Sequence, residues 1–272
     1  MKLPASLFEW LRPDRKQRSL ARQALEVRSV EPAAFGECLV GDERLELLAA
    51  LIGRVPELRR PEFLAEVGYS RSQLMQDLFV LSELGTRREA GFFVEFGAAD
   101  GVALSNSWLL EKRLGWKGIL AEPARCWHAS LARNRGCAID TECVWSKSGE
   151  RLDFDEVDIG EFSTLSDFAQ ADGHAQARAA KRQYQVPTVS LNDLLRRHGA
   201  PAEPDYLSID TEGSEFAILQ ELDFTRFHFK VITCEHNHTP MREPIRRLLE
   251  SAGYQRRHEK LSRFDDWYVR VR

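Results

Sequence analysis

The sequence predicts an α/β protein built on a Rossmann-like, mostly parallel sheet. Two observations support this fold class: short apolar runs that end at acids or glycines, and apolar residues at helical spacing between successive runs. Strands that alternate with helices indicate a parallel sheet with right-handed crossovers. The clearest run covers residues 92–96 and stops at Gly97, Asp100 and Gly101. Because ligands of such sheets bind beyond the carboxyl ends of the strands, the acids that follow these runs are candidate site residues.

The segment after residue 92 has the organisation of a nucleotide-binding unit. A helix is predicted from about Ser105 to Leu114, and a second strand at 118–121 ends at Glu122. In dinucleotide-binding folds, an acid about 20 residues beyond the glycine turn holds the ribose hydroxyls. The G-x-G-x-x-G spacing is absent, which disfavours a nicotinamide cofactor. The pattern leaves two interpretations: a nucleoside ligand without a pyrophosphate, or a glycine corner that serves packing alone.

The other predicted elements continue this alternation to the end of the chain. We predict further strands at 137–140, 186–189, 205–210, 231–235, near 254 and at 267–269, and helices over 72–84, 124–134 and 242–252 and after Ser190 and Ser214. A polar stretch at 147–185 interrupts the core elements, and 167–182 is predicted as an amphipathic helix. This stretch is either a substrate-facing insertion or lid, or a solvated excursion.

Residues 1–65 are predicted to form a helical extension ahead of a main domain at 66–272. Apolar stripes at helical spacing begin at Leu3, Leu20 and Leu45. The first 30 residues hold seven basic and three acidic side chains. The extension is therefore either a peripheral membrane-surface helix or a helical cap or dimer surface, and a homo-oligomer is expected.

Composition excludes several classes of protein. A net charge of -4 gives no reason to expect nucleic-acid binding, and no apolar run approaches the ~20 residues that a membrane span needs. The N-terminus lacks the apolar core of a signal peptide. Five cysteines, an odd number without a C-x-x-C pair, indicate reduced thiols in a cytoplasmic protein.

Four motifs in this order resemble the FkbM family of S-adenosylmethionine-dependent methyltransferases. They are F-V-E-F-G-A-A-D-G at 93–101, L-S-N at 104–106, G-W-K-G-I-L-A-E-P at 115–123 and Y-L-S-I-D-T-E-G-S-E-F-A-I-L at 206–219. The similarity begins at about Tyr69. It implies a seven-stranded methyltransferase sheet with a terminal antiparallel strand, and O-methylation of a sugar or glycan, lipid-linked or polysaccharide. Alternatives are a polyketide or other small-molecule acceptor, or a catalytically silent cofactor-binding or interaction domain.

With this resemblance, a set of residues is expected to bind S-adenosylmethionine. The set consists of Gln76, Glu95, Gly97, Ala98, Asp100, Gly101, Ser105, Asn106, Glu122, Glu142 and Cys143. Glu122 is expected to accept from both ribose hydroxyls, and Ser105 and Asn106 to bind the methionine carboxylate at the start of a helix. The resemblance alone places Glu142 and Cys143 at the adenine.

The acceptor chemistry is predicted at the ends of two later strands. Asp210, Glu212 and His236 are the candidate catalytic residues, because methyl transfer to a hydroxyl needs a base near the methyl group. In one mechanism, Asp210 or His236 removes the proton directly. In the other, Asp210 and Glu235 hold a divalent metal such as Mg²⁺, which lowers the pKa of the hydroxyl.

Overall fold

Helices and strands alternate in the structure, a computed structural model that describes residues 13–26, 42–86, 91–157, 164–165 and 181–271. The helices are α1 (Arg15–Glu26), α2 (Asp42–Arg54), α3 (Arg60–Val67), α4 (Gln76–Leu84), α5 (Trp108–Lys112), α6 (Arg125–Asn134), α7 (Leu191–Arg197), α8 (Glu215–Gln220) and α9 (Arg242–Ser251), with a 3₁₀ turn at Glu57–Arg59. The strands are β1 (Phe92–Phe96), β2 (Lys117–Ala121), β3 (Ala138–Asp140), β4 (Cys143–Trp145), β5 (Arg151–Val157), β6 (Thr164–Leu165), β7 (Lys181–Ser190), β8 (Tyr206–Ile209), β9 (Val231–Glu235), β10 (Tyr254–Arg257) and β11 (Asp265–Arg270).

The main sheet has the strand order β10-β11-β9-β8-β1-β2-β3. Its pairs from β9 to β3 are all parallel, whereas β11 runs antiparallel to both β9 and β10. The predicted mixed α/β class with a large, mostly parallel sheet is therefore confirmed. The antiparallel strand is the last one in the sequence, but it lies inside the sheet between β9 and β10 rather than at its edge.

A second, smaller sheet has the order β4-β7-β5-β6 and is built largely from the stretch predicted as an insertion. Strands β5 and β7 pair antiparallel along their length. Apolar residues alternate with polar ones in β5, and Phe154 is buried in a small cluster with Val186. This part of 147–185 is therefore ordered sheet rather than a solvated excursion. Most of the predicted helix at 167–182 lies outside the described residues, and its last two residues belong to β7 instead.

Both faces of the main sheet are covered by apolar side chains. Alternation along β8 sends Tyr206 into one cluster and Leu207 into the other, which also receives residues of α7, α8 and α9. The first cluster contains Leu48 of α2 together with Trp267 of β11. The helical extension therefore shares its hydrophobic core with the main sheet.

The predicted membrane-surface helix falls largely outside the described residues. Residues 1–12 and 27–41 are not among them, so the stripe that begins at Leu3 lies outside the described part. Among the helices that the structure describes, none combines the length and apolar character needed to cross a bilayer. The stripe at Leu20 forms α1, and the stripe at Leu45 forms α2.

Truncation of Leu48 tests whether the extension belongs to the cooperative core. Leu48 is fully buried, so we expect Leu48→Ala to lower the free energy of unfolding by about 2–5 kcal/mol. Leu58 is 92% exposed, and Leu58→Ala is the matched control, with an expected change within about 0.5 kcal/mol. Urea unfolding followed by circular dichroism measures both. Equal values for the two variants would show that α2 folds independently of the sheet.

Candidate active site

A cleft opens at the carboxyl ends of β1, β2, β8 and β9 and holds about 1110 Å³, including the solvent at its mouth. Six of the described residues that line the cleft are acidic. None of the described lining residues is lysine, arginine or histidine. These acids are Glu95, Glu122, Asp210, Glu212, Glu235 and Asp265. A surface of this kind repels phosphate and attracts cationic ligands.

Gly97 follows β1 and lies against the Asp210 backbone, which follows β8. Its φ is +69°, and a Cβ there would lie 2.2 Å from the carbonyl oxygen of Asp210. Gly101 has a φ of +78°, and its Cβ would lie 2.6 Å from side-chain atoms of Leu131 and Arg135. Both glycines are therefore required by contacts within the protein. Gly97 also lines the cleft, whereas Gly101 and Ala98 do not.

Glu95 organises the loop that follows β1. Its carboxylate accepts hydrogen bonds from the Asn106 amide at 2.7 Å, the Ser105 hydroxyl at 3.1 Å and the Ser107 hydroxyl. The predicted helix from Ser105 consequently begins only at Trp108, because Glu95 fixes residues 105–107 in another conformation. Glu95, Ser105 and Asn106 all line the cleft, as predicted for a site loop.

Arg135 holds the same loop in place through hydrogen bonds. The sequence analysis did not identify this residue. Its side chain is fully buried, and its guanidinium donates to the Gly101 carbonyl at 3.1 Å and to the hydroxyls of Ser105 at 3.1 Å and Ser107 at 2.9 Å. It also lies 3.8 Å from the Glu95 carboxylate. A basic residue after a helix is ordinarily exposed, so no local pattern distinguishes this one.

Glu122 ends β2 and is buried, as the ribose prediction requires. One carboxylate oxygen accepts from the Ala99 amide and the other from the Ala124 amide, both at 2.8 Å. Burial is the main cause that raises the pKa of Glu122 to about 7, and the negative charges of Asp210 and Glu156 contribute to the increase. Each oxygen keeps a further lone pair for a ligand donor.

Three other predicted cofactor residues differ in their relation to the cleft. Asp100 caps its own turn by accepting from the amides of Val102 and Ala103, each at 2.8 Å, and is not part of the cleft lining. Glu142 is also outside the lining, and its carboxylate accepts a hydrogen bond from the Arg197 guanidinium at 3.1 Å. Cys143 does line the cleft.

Gln76 lines the cleft at the start of α4. Its side-chain amide donates to the Asp265 carboxylate at 3.0 Å, and its carbonyl accepts from the Leu74 amide at 2.8 Å. Gln76 therefore connects the α4 segment with β11 at one wall of the cleft.

The acids predicted for the acceptor site converge as expected. Asp210, Glu212 and Glu235 each have a carboxylate oxygen within 4.8 Å of the others. The side-chain amide of Asn237 lies 2.8 Å from Glu235 and 3.4 Å from Glu212. Burial, followed by the charges of Asp210 and Glu212, raises the pKa of Glu235 well above its usual range.

His236 is the predicted catalytic residue that the structure does not bring into this group. It is buried outside the residues that line the cleft, with Nδ1 accepting from the His238 amide at 3.0 Å and Nε2 lying 3.9 Å from Asp266. Burial lowers the pKa of His236 to about 4. Alternation along the chain explains the position, because successive residues point to opposite faces and Glu235 faces the cleft.

The fold and the acid-lined cleft define an α/β protein with an open cleft beyond the carboxyl ends of its parallel strands. The sequence model of the methyltransferase FkbM domain matches residues 95–256, which is more than half of the chain. The chain therefore belongs to the FkbM methyltransferase family, and the family prediction is confirmed.

Among solved structures, the chain is similar to the methyltransferase FkbM from Methylobacillus flagellatus KT, with 12% identity and a TM-score of 0.46. The match covers 93% of this chain and 59% of that one, so the chain spans less than two thirds of that protein. No curated protein matches the sequence.

Replacement of Gly97 tests the close approach of β1 and β8. Gly97→Ala forces an alanine into the left-handed backbone conformation and creates a clash between its Cβ and the Asp210 carbonyl oxygen. We therefore expect the free energy of unfolding to fall by more than about 3 kcal/mol. Gly149→Ala is the matched control: its φ is +82° with no atom within 4 Å of the added Cβ, so only the strain of about 1–3 kcal/mol is expected. Denaturant unfolding compares them, and equal losses would contradict the clash.

Proposed function

We propose that the protein is an S-adenosylmethionine-dependent O-methyltransferase that acts on a hydroxyl of a sugar or glycan. The observation that carries the proposal is the acidic cleft of this chain, which belongs to a methyltransferase family. Among the described residues, six acidic side chains and no basic side chain line the cleft. The methyl donor carries a sulfonium and an ammonium, and such a cleft favours both charges. A dinucleotide pyrophosphate would be repelled by it.

The described residues also offer hydrogen-bond partners to individual groups of the donor. Glu122 ends β2 with spare acceptor capacity on both carboxylate oxygens, which suits two ribose hydroxyls. The side-chain amide of Asn106 donates to the Ser208 hydroxyl at 2.9 Å, and its buried side-chain oxygen has no hydrogen-bond partner in the part of the chain that the structure describes. An unsatisfied buried acceptor at a ligand cleft favours a ligand donor, so Asn106 suits the ammonium better than the carboxylate predicted from the sequence.

The acceptor hydroxyl is placed at the other end of the cleft, beside Asp210. The acceptor oxygen forms a bond to the sulfonium methyl, and the carbon–sulfur bond breaks with its electron pair passing to sulfur. Orientation of the two reactants supplies up to about 7–11 kcal/mol of the barrier reduction. The residues that line the cleft align the two reactants. The cluster of carboxylates, and Asp210 above all, promotes loss of the hydroxyl proton.

Two mechanisms for the loss of the proton are compatible with this placement. Asp210 accepts the proton itself, or Asp210 and Glu235 act through a bound divalent cation that lowers the pKa of the hydroxyl. His236 is a weaker candidate than Asp210, because it is not part of the cleft lining and its pKa is about 4.

Glu122→Gln tests the donor end. The substitution removes one carboxylate oxygen, and we expect S-adenosylmethionine to bind about 10-fold more weakly, equivalent to about 1.4 kcal/mol. Isothermal titration calorimetry measures the affinity, with Glu221→Gln, an exposed acid outside the lining, as the control. Because the pKa of Glu122 is about 7 and the carboxylate form accepts ribose hydroxyls, wild-type affinity should rise between pH 6 and pH 8. An unchanged affinity in Glu122→Gln would refute the ribose role.

A panel of acceptors tests the transfer. The wild-type protein is incubated with S-adenosylmethionine labelled on its methyl group and with sugars, glycans and polyketides, and the products are identified by mass spectrometry. For the methylated acceptor, we expect Asp210→Asn to lower kcat at least about 100-fold while donor affinity stays within about threefold. Wild-type turnover in Asp210→Asn would exclude Asp210, and methylation confined to polyketides would overturn the sugar acceptor.

A further inference from the structure

We propose that Asp210, Glu212 and Glu235 bind a divalent cation of the Mg²⁺ or Mn²⁺ type, in the cleft that Asp265 also lines. The cation's role in methyl transfer rests on the proposed function, whereas its binding does not. Of the two mechanisms for loss of the proton, this proposal selects the one that uses a metal.

The spacing of the oxygens fits one ion. One carboxylate oxygen from each of Asp210, Glu212 and Glu235 lies within 4.8 Å of the others. Ligands on opposite sides of an ion with metal–oxygen distances of about 2.0–2.6 Å are separated by about 4–5 Å. A single cation can therefore contact all three carboxylates after small side-chain adjustments.

The register of the sheet places Asp210, Glu235 and Asp265 in one row. Asp265 of β11 lies directly opposite Glu235 of β9. Ile209 pairs with Cys234 across β8 and β9, so the next residues, Asp210 and Glu235, also face each other. Residues opposite each other point to the same face of a sheet. The backbone therefore aims these acids into the same cleft, which all of them line.

Asp265 supplies an independent indication of a ligand. It is 3% exposed, and its Oδ2 atom accepts from the side chains of Gln76 and Trp267, both at 3.0 Å. Its Oδ1 atom is buried and has no hydrogen-bond partner among the described residues. A buried carboxyl oxygen without a hydrogen-bond partner is costly, so this atom favours a ligand in the cleft, which Asp265 lines.

The neighbouring basic side chains do not fill this role. Arg242 and Arg256 both bind Asp266, and His236 lies 3.9 Å from the same carboxylate. Asp266 is adjacent to Asp265 in β11, so its side chain points to the opposite face of the sheet. The local positive charge is thus on one face of β11, and the row of acids on the other.

The donor set defines the class of cation. Among the described residues, the group consists of carboxylates without cysteine or histidine, which matches hard cations with oxygen ligands rather than zinc. A cation between the acids would neutralise their mutual repulsion. It would also bind a hydroxyl oxygen of the acceptor and lower the pKa of that hydroxyl, which is the contribution that metals make to such reactions.

Direct titration with Mn²⁺ tests the proposal without methyl transfer. The full chain is freed of metal with EDTA, exchanged into buffer, and titrated with Mn²⁺ alone while electron paramagnetic resonance measures the free ion. We expect one bound Mn²⁺ per chain, at least 10-fold weaker binding in Asp210→Asn and in Glu235→Gln, and competition by Mg²⁺. Glu221→Gln, an exposed acid outside the cleft lining, should bind like the wild type.

Each outcome of the titration has one meaning. Absence of binding up to millimolar Mn²⁺, or equal binding by the wild type, Asp210→Asn and Glu235→Gln, overturns the site. Circular dichroism verifies that the variants fold, and Glu212→Gln replaces either one that does not. Calorimetry with S-adenosylmethionine in EDTA separates the two proposals: donor binding without Mn²⁺ binding refutes only the cation, and Mn²⁺ binding without donor binding refutes only the methyl donor.

Discussion

The contact between Gly97 and the Asp210 carbonyl is the constraint on which the cleft depends. It joins the ends of β1 and β8, so the loop after one strand and the acids after the other face the same space. A side chain at residue 97 would force the two strand ends apart. The buried Arg135 then fixes the loop after β1, because its guanidinium binds three separate positions there. Arg135 is itself outside the cleft lining, so it fixes this loop without occupying space that a ligand would take.

The excess of carboxylates in the cleft carries an energetic cost. Burial of Glu122, Glu235 and Asp265 raises the pKa of each, to about 7 for Glu122 and about 8 for Asp265. An acid whose pKa is raised on folding lowers the stability of the folded state progressively as the pH rises from its pKa in the unfolded chain to its pKa in the folded protein. Such an arrangement is expected at functional sites, where a positively charged ligand offsets the repulsion.

Most of the elements that position the cleft could be predicted from the sequence. The strand at 231–235 was predicted with its observed bounds, and Glu122 and Asp210 were predicted at strand ends, because buried parallel strands read as short apolar runs that stop at turn residues. The convergence of Asp210, Glu212 and Glu235 follows from the same rule.

The failures arise where long-range contacts override local patterns. The helix predicted from Ser105 is shortened because the carboxylate of Glu95, ten residues earlier, accepts hydrogen bonds from Ser105 and Asn106 and holds them outside the helix. Arg135 was missed because only tertiary structure reveals that it is buried. His236 was placed with the acids because it follows Glu235, but alternation directs it to other surroundings. In 147–185, polar composition concealed the period-two pattern of β5.

The position of β11 has a consequence for the biosynthesis of the protein. Residues 265–270 form a strand inside the sheet, and Trp267 belongs to the same apolar cluster as Leu48. During synthesis, α2 therefore leaves the ribosome more than 200 residues before β11, whereas α1 and α4, which α2 also contacts, lie within the first 84 residues. Folding must wait for these distant contacts, which favours slow completion after most of the chain has emerged. Over that interval the apolar surface that β11 covers remains exposed, and it is a surface on which a chaperone would act.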